Sequence, residues 1–257
     1  MLENTKFTYD GVSSEDMKVL NVKVDSGLFQ ESFLPSRSIR EERIRGNDKP
    51  YFLGFEYEPF SFPLTLYFDD LNKQELRKIS RWLVQSYYKP LIFESSPERI
   101  FYCMYEGSID EFHNGLTQGY IELTMRCNSP FSYSPVYTSE LFNFSNNTSD
   151  GSRIDFENYG DSVCKPVITL EKFGEGDVSI VNLSDSGNKM EITNILDGDV
   201  LIIDCENEQI ETEIAGTFHY ENHNNNYLRF IPNSINRLKV YGKCKIQFKY
   251  QFTVYQG

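Results

Sequence analysis

The chain is poor in the residues that carry most enzyme and metal chemistry, with three His and five Cys among 257 residues. The cysteines, Cys103, Cys127, Cys164, Cys205 and Cys244, are odd in number and no two form a Cys-x-x-Cys pair. That usage argues against a disulfide or metal framework and for reduced, mostly buried thiols in a cytoplasmic setting. His219 and His223 have the i, i+4 spacing of a helical zinc pair. Their segment reads as a hairpin, however, where such residues need not converge, so they are expected to be loop and strand residues. His113 lies in Phe112-His113-Asn114-Gly115, which reads as a turn. No GxSxG elbow, GxxxxGK[ST] loop or GxGxxG fingerprint occurs, and Gly174-Glu175-Gly176-Asp177 reads as a turn between strands rather than a phosphate cradle. Basic excess is also missing. A net charge of −13 repels phosphate backbones and anionic membranes, so no specific nucleic-acid or membrane binding is expected. No run reaches the roughly 18 apolar residues of a membrane span. The start, Met1-Leu2-Glu3-Asn4-Thr5-Lys6, lacks the basic and apolar regions of a signal peptide. These absences predict a protein with no catalytic residues, no cofactor and no metal.

What is abundant is aromatic: 17 Tyr and 20 Phe against a single Trp. That balance, with scattered Gly and Asn, favours strands and turns over helix bundles. One helix is expected, from Asp69 to Tyr88, with Leu76, Ile79, Leu83 and Tyr87 on one face. Asp69, Asp70 and Asn72 are candidate N-caps, Asn72 with Glu75 forms a loose capping box, and Lys89-Pro90 ends the helix. Trp82 is assigned to core packing. Elsewhere the period is two. Phe60, Phe62, Leu64, Leu66 and Phe68 share one side of a strand in which Pro63 argues for an edge or an irregularity. Ile121, Leu123, Met125 and Cys127 alternate with Glu122, Thr124 and Arg126. At the C-terminus, Cys244, Ile246, Phe248, Tyr250, Phe252 and Val254 alternate with polar residues, as in a paired core strand.

The pattern breaks at Asn128-Ser129-Pro130-Phe131-Ser132-Tyr133-Ser134-Pro135. Beyond it come short strands near Val167–Leu170, Val178–Leu183, Met190–Ile195, Val200–Cys205, Ile210–Ile214, Leu228–Ile231, Leu238–Tyr241 and Cys244–Tyr255. Turn signals such as Asp185-Ser186-Gly187-Asn188, Asp197-Gly198 and the Asn222–Asn226 run separate them, as in a β-sandwich. The expected fold is mainly β: an N-terminal α+β domain over 1–133, a β-sandwich with one helix and a hairpin arm, followed by a second β-sandwich over 134–257. The carboxylates Asp197, Asp199, Asp204, Glu206 and Glu208 cluster in one turn-strand-turn and read as solvated surface, with a calcium site as the minor alternative.

One charge cluster stands out. Arg37-Ser38-Ile39-Arg40-Glu41-Glu42-Arg43-Ile44-Arg45-Gly46-Asn47-Asp48-Lys49-Pro50 holds five basic and three acidic residues in an acidic protein. It is either a solvated hairpin arm or an arm whose Arg37, Arg40, Arg43 and Arg45 reach acidic surfaces on identical neighbours, since guanidinium forks suit interface ion pairs.

The order of features resembles the distal tail proteins of long, flexible-tailed bacteriophages and prophages of Gram-positive hosts. The likeness runs from Phe7-Thr8-Tyr9-Asp10-Gly11-Val12-Ser13-Ser14-Glu15-Asp16-Met17 through the Arg-rich arm, the strand Phe60–Phe68 and the helix with Trp82-Leu83. It continues with Lys89-Pro90-Leu91-Ile92-Phe93-Glu94 and Arg99-Ile100-Phe101-Tyr102-Cys103, and closes with Gly119–Phe131. In the second domain, Asp197–Asp204 and Asn236–Gly242 resemble the family's galectin-like sandwich more loosely. The resemblance implies a structural, non-enzymatic protein of the virion tail tip, assembled in the bacterial cytoplasm. It also implies a homohexameric ring built by the first domain, lying between the tail-tube protein and the tail-associated hub protein and letting DNA pass. The second domain would face outward, carrying a receptor-binding protein in some relatives. The alternative reading, from the sandwich alone, is a carbohydrate-binding or cell-wall glycan-recognition module.

Overall fold

The computed structural model describes residues 4–22, 35–69, 72–113 and 118–255. The chain is mainly β and packs as two units, Met1–Tyr133 with Tyr255–Gly257, and Ser134–Val254.

In the first unit, the main path of one continuous sheet runs through eight strands in the order Asn4–Thr5, Val19–Val22, Ser61–Phe68, Gly119–Cys127, Ile100–His113, Lys89–Phe93, Phe7–Tyr9, Val12–Ser13. The sheet must curl. Laid flat, the six strand spacings between Val19–Val22 and Val12–Ser13 cover about 29 Å. The chain joins those two strands through Ser14–Lys18 alone, a reach of at most about 20 Å. Its two margins are tied together by Val19 N–H donating to Ser14 O at 2.9 Å and Ser14 N–H donating to Phe7 O at 2.8 Å. Alternation along Gly119–Cys127 sends Ile121, Leu123, Met125 and Cys127 inward with Leu64, Leu66 and Phe68, and this face is the core. Pro63 lies where the strand Ser61–Phe68 is paired on one side only among the described residues, because Val19–Val22 reaches no further than Leu66. Its missing N–H therefore costs no ladder bond.

The helix spans Lys73–Leu83, shorter than the Asp69–Tyr88 expected from periodicity. Its start follows the capping box: Asn72 Oδ1 accepts from Gln74 and Glu75 N–H at 2.9 and 3.1 Å, and Glu75 accepts from Asn72 N–H at 3.0 Å. Asp70 lies outside the described residues. Val84 is already extended, so the helix ends before Lys89-Pro90, and Tyr87 is exposed rather than part of the apolar face. Ile79, Trp82 and Leu83 are buried, a contribution of about 1.5–3 kcal/mol for each aliphatic side chain. Trp82 stacks on Phe7 at 5.7 Å and its Nε1–H donates to Tyr9 O at 2.9 Å, so one residue covers the core and bonds the first long-range strand.

The second unit is a sandwich. One sheet orders Ser152–Asn158, Ser234–Tyr241, Gly176–Asn182 and Asn188–Ile195; the other orders Tyr137–Thr138, Cys244–Tyr250, Val167–Lys172, Val200–Asp204 and Gln209–Thr212. Inward residues Ile168, Leu170, Ile180, Leu238, Val240, Ile246 and Phe248 form the shared core. Ser152–Asn158 adds a strand that was not expected, although Ile154 and Phe156 alternate there with Arg153, Asp155 and Glu157. Leu228–Ile231 is not a strand: Phe230 makes only an isolated bridge to Cys164. The asparagine run does more than turn the chain. Asn224 N–H donates to Glu191 O while its Oδ1 accepts from Glu191 N–H, Asn222 O accepts from Thr193 N–H, and the Asn224 and Asn226 amides donate to Lys189 O. It thereby covers the outer edge of Asn188–Ile195, an edge that would otherwise offer free backbone groups.

Candidate functional site

The Arg-rich segment is a hairpin arm, Arg37–Glu42 paired antiparallel with Tyr51–Tyr57 as its own two-stranded sheet. Every residue of the first strand is exposed. Cross-strand partners share a face, and the register pairs Arg37 with Tyr57, Ile39 with Phe55 and, past a bulge, Glu41 with Phe52. Gly54, at φ +143°, supplies the backbone conformation for that bulge. Without the extra residue, Phe52 would fall on the opposite face from Phe55. With it, Ile39, Phe52 and Phe55 line one face and are 61%, 66% and 48% exposed. The other face carries Arg40, which pairs with Glu56 at 2.5 Å, and Tyr51. At the arm's base Tyr57 stands edge-on to Phe55 at 5.2 Å and to Phe131 at 5.4 Å.

The four arginines do not gather into one anion site. Arg37 lies over the Phe55 ring at 5.7 Å, Arg40 is paired within the arm, Arg43 stands 3.8 Å from Glu41, and Arg45 makes no ion pair among the described residues. Sequence reading caught the cations and missed the apolar face. Its signal was the run Tyr51-Phe52-Leu53-Gly54-Phe55, whose alternation is hidden by the bulge.

Other candidates are dispersed. Asp199 is buried and not part of a solvated acidic surface: its carboxyl accepts from Thr212 Oγ1 at 2.6 Å and bonds His219 Nε2 at 2.9 Å. It ties the Asp197–Val200 turn to the strand Gln209–Thr212 and to the loop bearing His219. Asp204 instead caps its own turn, accepting from Glu206 and Asn207 N–H. His223 is buried 4.5 Å from the Tyr227 ring, and burial holds its pKa below the ordinary histidine value. The side chain of His113, and Asn114 and Gly115, lie outside the described residues. No three His, Cys, Asp or Glu side chains form a metal-sized cluster among the described residues. No described helix is long and apolar enough to cross a membrane.

Residues 2–129 match a family model for a phage tail protein N-terminal domain, and residues 136–250 one for a phage tail C-terminal domain. An SPbeta prophage-derived uncharacterized protein of Bacillus subtilis (strain 168), YomH, is 30% identical over 251 residues, covering 97% of this chain and 98% of that protein. The crystal structure of the SPP1 Dit protein, described as a paradigm of the hub adsorption apparatus in phages infecting Gram-positive bacteria, superposes with a TM-score of 0.71 at 17% identity. It covers 96% of this chain and 99% of that one. A chain of the activated phage P2 baseplate matches with a TM-score of 0.57 at 8% identity over 97% and 98% of the two chains. At these identities both likenesses speak for the fold.

Proposed function

The chain belongs to the phage tail protein family, and on that premise we propose that it is a distal tail protein that forms the hub ring at the tail tip. The observation that carries this reading is the arm. A two-stranded hairpin is marginal by itself in water, and this one displays Ile39, Phe52 and Phe55 to solvent on a single face. A second copy of the chain is the natural cover. A contact between unlike faces, repeated by rotation, closes a ring. Residues 1–133 build that ring in this reading. The sandwich over 134–257 faces outward, the tail-tube protein and a tail-associated hub protein stack on the two sides, and DNA passes through the centre without specific binding. The role is structural and non-enzymatic, and assembly takes place in the bacterial cytoplasm.

Light-scattering chromatography over a concentration series, followed by negative-stain imaging alone and with the tube and hub proteins, tests the proposal. The expected result is a hexameric ring, either free or templated by the tube protein. A chain that stays monomeric at all concentrations and joins no tail structure overturns it.

A further inference from the structure

We propose that Cys103 and Cys127 are the site of a reversible oxidative cross-link that staples the hairpin of strands Ile100–His113 and Gly119–Cys127 at its open end. The register sets the two residues directly opposite one another. Asn128 N–H donates to Tyr102 O at 2.9 Å, one residue beyond the pair. The pair therefore occupies a non-hydrogen-bonded position, where Cα atoms stand about 4.5 Å apart. That separation lies at the near end of the disulfide range, about 4.4–6.8 Å. Both side chains point to the same side of the sheet, into the core, at 0% and 1% exposure. Both thiols are free.

The neighbouring Cys127 thiol, together with burial, pushes the Cys103 thiol well above its ordinary value. The other three cysteines lack this arrangement. Cys164 faces Phe230, Cys244 faces Lys172, and Cys205 bonds through its N–H to Pro166 O.

Burial selects the oxidant: a small neutral peroxide. A cysteine thiolate attacks one peroxide oxygen, the O–O bond breaks, and a sulfenic acid and hydroxide form. The second thiol then attacks the sulfenic sulfur; the S–S bond forms and the sulfenic oxygen leaves as water. In sum, two thiols and one hydrogen peroxide give one disulfide and two waters. Because the thiolate is scarce in the closed core, the reaction proceeds through local opening of the hairpin and is slow at neutral pH. A tail component made inside a cell and used outside it meets this change of redox setting once, so slowness is no obstacle.

The test treats the full chain with hydrogen peroxide, then maps non-reduced peptides by mass spectrometry. The expected product joins the Cys103 and Cys127 peptides with loss of two hydrogen atoms and leaves the other three thiols titratable after denaturation. Thermal unfolding of the oxidised chain shifts upward by about 5 °C and returns on adding a thiol reductant. Cys103→Ala and Cys127→Ala each abolish the cross-linked peptide and the reversible shift. Oxygen adducts on these cysteines without a cross-link overturn the proposal. So does full retention of both thiols after prolonged exposure near the unfolding temperature. The wild-type peptide map decides the matter even if one variant fails to fold.

Discussion

Phe52 offers the sharpest test of the arm. A phenylalanine carries about 200 Å² of accessible surface, so exposures of 66% and 48% leave roughly 130 Å² on Phe52 and 100 Å² on Phe55 for a partner to cover. At about 25 cal/mol per Å² these correspond to about 3 and 2.5 kcal/mol per contact. Phe52→Ser removes most of the first contribution. Allowing for imperfect coverage, the loss is about 2–3 kcal/mol, or a roughly 30- to 150-fold weaker association at each subunit contact. Light scattering over a concentration series reads this as a shift of the ring-to-monomer midpoint. The thermal midpoint of the monomer should stay put, because the side chain contacts solvent. Tyr51→Ser, on the opposite face of the arm, should shift assembly less. If Phe52→Ser assembles with the wild-type concentration dependence, the apolar face does not carry the contact and the reasoning fails.

Other outcomes follow from the interior. Asp199→Ala strands the buried His219 Nε2, whereas the half-exposed Thr212 hydroxyl keeps its bond from Ile214 N–H, so urea unfolding should register a loss of about 1–3 kcal/mol. Asn72→Ala removes a cap that accepts two backbone bonds and should cost about 1 kcal/mol, read by chemical denaturation with circular dichroism. The pKa of His223 is held down by burial, so between its folded value and about 6.5 the unfolded chain binds the extra proton and stability falls as pH falls through that window. His223→Phe should flatten this part of the stability-pH curve; an unchanged slope would show that another group is responsible.

The fold was legible where one physical rule governed a stretch of chain. Cys244, Ile246 and Phe248 alternate because one face of their strand is core, and the sequence carries that alternation openly. Asn72 and Glu75 form their reciprocal cap because both partners lie within four residues. Legibility failed where distant residues decide the outcome. The helix stripe continues in sequence to Tyr87, but the core it covers ends at Leu83, so the periodicity outruns the burial. Asp199 looks solvated among its acidic neighbours because its partners, Thr212 and His219, come from elsewhere in the chain. Within the arm, a one-residue bulge exchanged the faces of Phe52 and its neighbours, and no count of alternating residues reveals a bulge.

The same bulge changes which force holds the proposed ring. In sequence the arm is a cationic segment of an acidic chain, read either as a solvated hairpin or as an arm that forms ion pairs with neighbours. In the structure two of the four arginines already face carboxylates of the arm itself, Arg40 at Glu56 and Arg43 at Glu41, and Arg37 rests over Phe55. Exposed ion pairs contribute about 0–1 kcal/mol and are screened by salt, whereas each covered Phe is worth about 2.5–3 kcal/mol and is not. Copies with a net charge of −13 also repel one another at low salt. In the proposed ring, affinity would therefore come from Ile39, Phe52 and Phe55, while the cations would orient the approach and keep the arm soluble before docking. A ring held in this way should persist, or tighten, as ionic strength rises, whereas a ring held by the arginines should come apart.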